Sequence, residues 1–428
     1  MRSISTEKSL QMSRQSKLSS IATRGVFLTL FLANSVRIYA QSDYTIQGQV
    51  VDAKTGKPVP FVTLSVAEGK ISNETNADGY FMLDLPKQLK QDTLTLTAIN
   101  YRLTQMPLST LPATHAVVQL APVSYQAQAS ILDTYFSLER SFQARDTLLK
   151  AVAVIAKNYT NEPTLLHGFY RETIEKQQPN VCVSYTEGLI DVYKPSYYFT
   201  KKDDQIRFIK GRRKPLTTFT VPVLTPGPWV SNMLDIVKYQ EFLFRNGKLN
   251  KDYVFELAGQ TLIGDQPVYI INFKPRTFYV TTGYFAGKLF IAAESLAIVR
   301  AEYKLTEKGL AIVNKSKYAQ VYSTKLQNRD YTVSYTKFDN RWSFQGGSVE
   351  NTFTYTASDF PFRSRVDFVI TQRQSENVKP FKATEQATYT KLPMQSFDAT
   401  NNAFWNGENY LMPSLPYPTL VITSHSKP

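Results

Sequence analysis

From Tyr44 to Leu120 the chain alternates apolar and polar residues in short runs, each closed by turn-forming residues. Ile46 and Val50, then Val62, Leu64 and Val66, recur at or near every second position, as one buried face of a strand requires. Tyr80, Met82 and Asp84 alternate in the same way with Phe81, Leu83 and Leu85. Lys54-Thr-Gly-Lys-Pro58 and Asn76-Ala-Asp-Gly79 supply the turns, the first through Gly56 and Pro58, the second through an Asp-Gly pair suited to a tight hairpin. Further strands are predicted at Thr93–Ile99, Arg102–Leu108 and His115–Leu120. Short strands at this spacing predict a sandwich of about seven strands.

The period changes after Ala121. Pro122–Ser130 is a Pro, Ala, Ser and Gln-rich link, and Leu132, Tyr135, Phe136, Leu148, Leu149, Val152 and Ile155 then fall near helical spacing. A helix is predicted across Ala129–Tyr159, ended by Asn161-Glu-Pro163 because proline cannot continue the hydrogen-bond ladder. Strand patterns return at Leu165–Glu172, Tyr185–Tyr193, Gln205–Lys214, Tyr253–Gln260, Gln266–Phe273 and across Gly287–Tyr303. They continue through Lys315–Thr324, Asp330–Lys337, Arg341–Tyr355 and Arg363–Thr371, with turns or bends at Asp339-Asn340 and Gly346-Gly347. Consecutive strands of this kind make an antiparallel meander that can curl round a core or a cavity. A membrane barrel would need an outward apolar band. Gln327-Asn-Arg-Asp-Tyr-Thr-Val-Ser-Tyr335 instead places polar residues on both faces, which favours a soluble sheet. The fold class is therefore mainly β: an N-terminal seven-stranded sandwich, a linking helix, and a larger curved antiparallel sheet.

Composition adds compartment and partners. The chain has 428 residues, 43% hydrophobic and 13% aromatic, enough for two or three domains with real cores. Lys8, Arg14, Lys17 and Arg24 precede the apolar run Gly25–Ala33, and Ile38-Tyr-Ala40 ends on a small residue: the layout of an export signal, with Gln41 as the mature start. Arg37 near the cut and the long lead leave an uncleaved anchor, a disordered tail and a start at Met12 as alternatives. The run is shorter than the about 20 residues a spanning helix needs, so no span is expected in the mature chain. Of the formal charge of +14, the six Lys and Arg and one Glu of residues 1–40 carry +5, leaving +9. That balance favours anionic head groups or anionic polysaccharide, and an exported chain without a nucleic-acid-binding signature is not expected to meet nucleic acid. The single cysteine, Cys182, excludes an intrachain disulfide and a cysteine-based zinc site and is read as a buried small hydrophobe.

Gly48-x-Val50-x-Asp52-x-x-Thr55-Gly56-x-Pro58-x-Pro60-x-Val62, followed by Thr75-x-x-Asp78-Gly79-x-Phe81-x-Leu83, resembles the carboxypeptidase regulatory-like domain. The resemblance covers about Tyr44–Ala121. It implies a transthyretin-like, immunoglobulin-like sandwich common in envelope proteins of the Bacteroidota, and a stability or interaction module rather than a peptidase. Gly168-Phe-Tyr-Arg-Glu172 and Lys210-Gly-Arg212, after the helix, resemble an uncharacterised family of exported Bacteroidota proteins carrying the same sandwich. The alternation around Gly287–Tyr303 resembles the half-barrel of periplasmic lipoprotein carriers, where a curved sheet covers an apolar cleft.

Catalytic chemistry is sparse. His115, His167 and His425 form no zinc-protease pattern, and neither a Gly-x-Ser-x-Gly elbow nor a phosphate-binding glycine loop occurs. Asp52, Asp78 and Asp84 fit no calcium loop, and turn formation accounts for the first two. No metal or cofactor is expected. Glu172 with Glu187 and Asp191 are the remaining candidates for general acid–base work on a glycan, against the simpler reading of carboxylates paired with Arg171 and nearby lysines. Lys210, Arg212, Arg213 and Lys214 form the candidate anion-binding run. The expected organisation is an export signal at 1–40, the sandwich at 41–121, linker and helix at 122–163, a β-rich domain at 164–395 and a tail at 396–428. The expected function is a non-enzymatic envelope protein at the periplasm or outer-membrane periphery, binding an envelope protein or an amphiphile. A lipid or lipoprotein carrier and a glycan-acting hydrolase are the alternatives.

Overall fold

The computed structural model describes residues 44–123, 135–177, 180–197, 202–215, 230–239, 241–245, 248–276, 284–321, 323–355, 358–387 and 407–414. The export-signal reading at 1–40 and His425 lie outside the described residues, as does the first part of the expected helix.

Seven strands build the sandwich: β1 (Tyr44–Asp52), β2 (Thr63–Val66), β3 (Ile71–Glu74), β4 (Tyr80–Leu85), β5 (Thr93–Thr97), β6 (Thr104–Pro107) and β7 (Ala116–Leu120). One sheet has the order β4-β1-β7, with β1 antiparallel to β4 and parallel to β7; the other runs β3-β2-β5-β6. The alternating apolar set faces inward: Ile46, Val50, Leu64, Val66, Phe81, Leu83, Leu94, Leu96 and Val118 are all buried in one cluster. The Asp78-Gly79 turn closes as its chemistry demands, with Gly79 at φ +75° and Val50 O only 2.6 Å from where a Cβ would sit. Asp52 serves its turn, its Oδ1 accepting the Lys54 and Thr55 amides at 2.9 and 2.8 Å. The Thr55 N–H holds that carboxyl below its ordinary range against the opposing effect of burial.

The connecting helix α1 (Tyr135–Ala153) and the short α2 (Ile155–Asn158) fall within the expected helical stretch, separated at Val154 by non-helical backbone. Ala144, Leu148 and Ala151 turn its apolar stripe into the main core, and Ser141 Oγ donates to Phe255 O at 3.0 Å.

The larger sheet begins with β8 (Thr164–Gln177), β9 (Asn180–Lys194) and β10 (Gln205–Pro215). Helices α3 (Val230–Leu234) and α4 (Ile236–Tyr239) and the two-residue strands β11 (Phe244–Arg245) and β12 (Lys248–Leu249) follow. The meander comprises β13 (Tyr253–Ile263), β14 (Gln266–Pro275), β15 (Phe285–Ala292), β16 (Ile298–Leu305), β17 (Thr324–Phe338), β18 (Arg341–Tyr355) and β19 (Ser358–Gln374). Each of these seven pairs antiparallel with the next, and β19 then takes β8, which pairs β9, which pairs β10. Asp339 and Asn340, both at positive φ, make the β17–β18 hairpin. The strand β18 runs on through Gly346-Gly347: Gly346, at φ +144°, lies at the register shift opposite Ser334 and Tyr335, and a Cβ at Gly347 would lie 2.1 Å from Thr332 O.

One expected strand is corrected. Just after α5 (Glu307–Asn314), the stretch Lys315–Thr324 forms α6 (Lys317–Val321), and the strand starts only at Thr324. Thr306 caps α5 by accepting the Gly309 amide at 3.2 Å, and Ser316 does the same for Ala319 at 3.2 Å. The Ser316 cap, with the helix formers Lys317, Ala319 and Gln320 that follow it, outweighs the weak alternation.

The sandwich and the curled sheet belong to one compact unit. Strand β3 pairs β19 at Ile71–Gln372, while Ile99 bridges Ile263 at the other end of the meander. Between them Arg373, buried, donates to Gly69 O, Ser72 Oγ, Phe344 O and Gln345 Oε1 at 3.1, 2.8, 3.0 and 2.6 Å. Burial pushes its guanidinium down to about 9.

Candidate functional site

Where the sandwich meets the curled sheet lies a cleft of 740 Å³. One wall is the outward face of β2 and β5, where the residues alternating with the sandwich core are Ser65, Thr95 and Thr97. The other consists of two hairpin tips: β13–β14, with Ile263 and Asp265, and β17–β18, with Lys337 and Trp342. The wall is hydroxyl-rich because period-2 alternation sends the apolar residues of β2 and β5 into the sandwich core and leaves the half-buried Ser65, Thr95 and Thr97 on the other face. Glu68, Asp92, Asp265 and Glu294 bring four carboxylates to the rim against Lys337, whose ammonium stands 5.9 Å from the Trp342 ring centre. Arg102 lies 3.7 Å from Asp265 and offsets part of that charge.

Tyr335 lines the same cleft and leads from it into a buried polar cluster. Its hydroxyl donates to Asp235 Oδ1 at 2.8 Å, and the Tyr197 hydroxyl donates to Asp235 Oδ2 at 2.7 Å. Lys194 Nζ bridges Asp204 Oδ2 at 2.6 Å and Asp235 Oδ2 at 2.8 Å, Ser231 Oγ donates to Asp204 at 2.9 Å, and Lys238 stands 3.4 Å from Asp204. Burial alone would depress the Lys194 ammonium, yet the two aspartates outweigh it and hold it above its usual range. Burial and the neighbouring Lys194 hold Lys238 below its own. The cluster fastens α3 and α4 to β9 and β17 inside the concave face. Lys194, Asp204 and Asp235 are buried among the described residues, where the cluster braces the fold.

Around it, among the described residues, aromatic side chains pack together on the concave face. Phe242 stacks on Phe273 at 4.3 Å and meets Tyr253, Phe285 and Tyr303 edge-on, while Tyr303 stacks on Tyr331 at 4.6 Å.

Of the expected site residues, Glu187, Asp191, Lys210 and Arg212 lie elsewhere, on the opposite face of β8, β9 and β10. Arg171 and Glu187 are direct cross-strand partners, and the carboxylate takes Arg171 at 2.7 Å and Arg212 at 2.8 Å. Burial would raise the Glu187 carboxyl, but the two guanidiniums overcome that and keep it below the ordinary carboxylate range. Asp191 stands 2.6 Å from both His167 and Arg207, which likewise outweigh its burial. Glu172, next in sequence to Arg171, points to the other face, where its Oε2 accepts the Tyr170 hydroxyl at 2.8 Å. Glu172 and Glu187 thus face opposite sides of one sheet and do not converge as the hydrolase reading requires.

Of the anion-binding run, Lys210 pairs Glu408 at 3.0 Å, Arg212 pairs Glu187, and Arg213 is exposed. The Lys214 side chain lies outside the described residues. Cys182 is half-buried rather than buried, and burial pushes its thiol up to about 11. Among the described residues no three His, Cys, Asp or Glu side chains gather as a metal site. Pattern reading missed the cleft and the Lys194 cluster, because both join residues far apart in sequence.

Residues 46–127 match the family model of the CarboxypepD_reg-like domain. No curated protein matches the chain in sequence. Among solved structures the similarity is weak. A putative outer membrane lipoprotein-sorting protein domain from Vibrio parahaemolyticus covers 56% of this chain and 95% of its own, at 9% identity and a TM-score of 0.28. A LolA superfamily protein from Nitrosomonas europaea covers 55% and 94%, at 13% identity and a TM-score of 0.23. MucB, solved in complex with MucA(peri), covers 55% and 100%, at 9% identity and a TM-score of 0.17. No helix among the described residues is long and apolar enough to cross a membrane.

Proposed function

We propose that this chain is a non-catalytic, exported envelope protein in which sandwich and curled sheet act as one rigid body and hold a partner in the cleft between them. The observation that supports the reading is the 740 Å³ cleft itself, walled on one side by hydroxyls and on the other by hairpin tips carrying Lys337 and Trp342, and rimmed by Glu68, Asp92, Asp265 and Glu294. A large concave site with a few converging polar groups is the default place for a ligand. Its charge balance suits a cationic segment of an envelope protein, and indole and phenol faces add attraction for ammonium or guanidinium groups. The sandwich then contributes a wall of the site as well as stability.

Titrating the purified protein with tetralysine, followed by the difference in indole fluorescence between wild type and Trp342→Phe, tests this. Saturable change is expected, falling by about tenfold or more in affinity in the double variant Asp92→Lys/Glu294→Lys. A response equal in wild type and the double variant would remove the cleft from consideration.

The carrier alternative asks for room beneath the curved sheet, whereas the described concave face is packed with the chain's own rings. It predicts co-purifying lipid by mass spectrometry, and the packed face argues for none. Contact of an anionic glycan or head group with Lys210, Arg212, Arg213 and Lys214 is the weaker proposal, since Glu408 and Glu187 already face two of those cations.

A further inference from the structure

Residues 407–414 lie over the face of β8 and β9 that carries Arg171 and Glu187, and along the seam with the sandwich. Their side-chain contacts reach residues distant in sequence. The Tyr410 carbonyl accepts from Asn73 Nδ2 at 3.0 Å, the Leu411 carbonyl from Arg171 Nη2 at 2.5 Å, the Met412 carbonyl from Arg171 Nη1 at 3.2 Å and the Pro413 carbonyl from Asn76 Nδ2 at 2.7 Å. Four successive peptide carbonyls are thus held by side-chain donors. The Leu411 side chain is 5% exposed and fills a slot between Phe169, Leu189 and Val369. Glu408 reaches Lys210 at 3.0 Å. The Asn409 amide accepts from Asp84 N and donates to Asp84 O, both at 2.8 Å, occupying the edge of β4 as a neighbouring strand would.

The donors are prepared for this task. Glu187 grips Arg171 through both Nε, at 2.9 Å, and Nη2, at 2.7 Å, and is itself held by Arg212, so the guanidinium is aimed before any carbonyl arrives. Asn73 is fully buried and is steadied by a second bond, to Met82 O at 2.7 Å. Backbone carbonyls, one leucine slot and one acidic contact three residues earlier are the terms in which an extended peptide is recognised.

We infer that this seam is a peptide-acceptor groove, selective for an extended segment of the pattern acidic-x-x-Leu, and that residues 408–413 are its ligand supplied by the same chain. Lys210 and Arg212 then serve the groove: the first receives the acidic residue, the second positions Glu187 and through it Arg171. Because the built-in segment is tethered, its effective concentration is on the order of millimolar, and it excludes competitors that arrive at lower concentration.

The test uses the full chain with Leu411→Asp, which empties the slot, and a fluorescein-labelled synthetic peptide spanning Gly407–Ser414. Fluorescence anisotropy is expected to show saturable binding to this variant, and at least about a hundredfold weaker binding to the wild type, whose groove is filled. Adding Arg171→Ala to Leu411→Asp is expected to abolish binding, and changing leucine to aspartate in the peptide to do the same. Peptide that binds neither protein, binds both equally, or ignores Arg171→Ala overturns the proposal. Should Leu411→Asp unfold the chain, as read by circular dichroism, Glu408→Lys loosens the same segment from its acidic end. That variant is then expected to take up the peptide more tightly than wild type, and equal binding to the two overturns the proposal.

Discussion

Replacing Lys194 with methionine is expected to lower the free energy of unfolding by about 3–5 kcal/mol, because it strands two buried carboxylates. Lys194 Nζ lies 2.6 Å from Asp204 and 2.8 Å from Asp235, and Lys238, at 3.4 Å from Asp204, is too distant from its best geometry to compensate both. Ser231, Tyr197 and Tyr335 would still donate hydrogen bonds, but none brings positive charge. Urea denaturation of the variant and wild type at pH 7 measures the difference. The triple variant Lys194→Met/Asp204→Asn/Asp235→Asn is expected to recover much of the loss, since removing all three charges removes the stranded ones as well. A loss below about 1 kcal/mol in the single variant would mean that water reaches the cluster, which its burial opposes.

The second large effect is one of pH. Glu74, on β3 at the junction of sandwich and sheet, is buried, and that burial raises its carboxyl from 4.5 to about 7 against the hydrogen bond from Ser334 at 3.0 Å. A raised carboxyl binds its proton more tightly in the folded chain than in the unfolded one. Its contribution to stability is therefore complete below pH 4.5 and is lost as pH rises through about 7. The gap between the two values corresponds to about 3 kcal/mol. Glu74→Gln carries no titrating proton and is expected to be more stable than wild type at pH 8 by up to that amount, with the difference vanishing near pH 4. Denaturation curves at pH 4, 6 and 8 for both proteins check it. Equal stability at pH 8 would mean that Arg300 and Arg373 stabilise the carboxylate enough to cancel its burial.

The elements differ in how far they can be read from the chain. In the sandwich, alternation, Asp-Gly chemistry and strand spacing act over ten residues or fewer, and these local terms agree with one another. Ile46, Val50, Phe81 and Leu83 are accordingly found where the pattern puts them. The region Lys315–Thr324 shows the opposite, where a few alternating residues competed with the Ser316 helix cap and lost. The candidate residues diverged for a further reason. Arg212 and Lys210 read as a basic run because sequence shows their charge but not the Glu187 and Glu408 that face them. Tyr410 and Leu411 lie in the expected tail, where several aromatic and apolar residues recur without a strand or helix period, so nothing local distinguishes the two that dock.

By itself, then, the sequence determined the mainly β class, the seven-strand sandwich, the helix and the antiparallel meander, because period and turn chemistry are properties of neighbouring residues. Only the tertiary structure decided that the sandwich forms a wall of a cleft, that Lys194 meets Asp204 and Asp235, and that residues 408–413 occupy the seam. Those outcomes depend on which strand edges meet and which charges are left facing one another after burial, terms that arise only when separate elements, from 10 to 240 residues apart, are packed together.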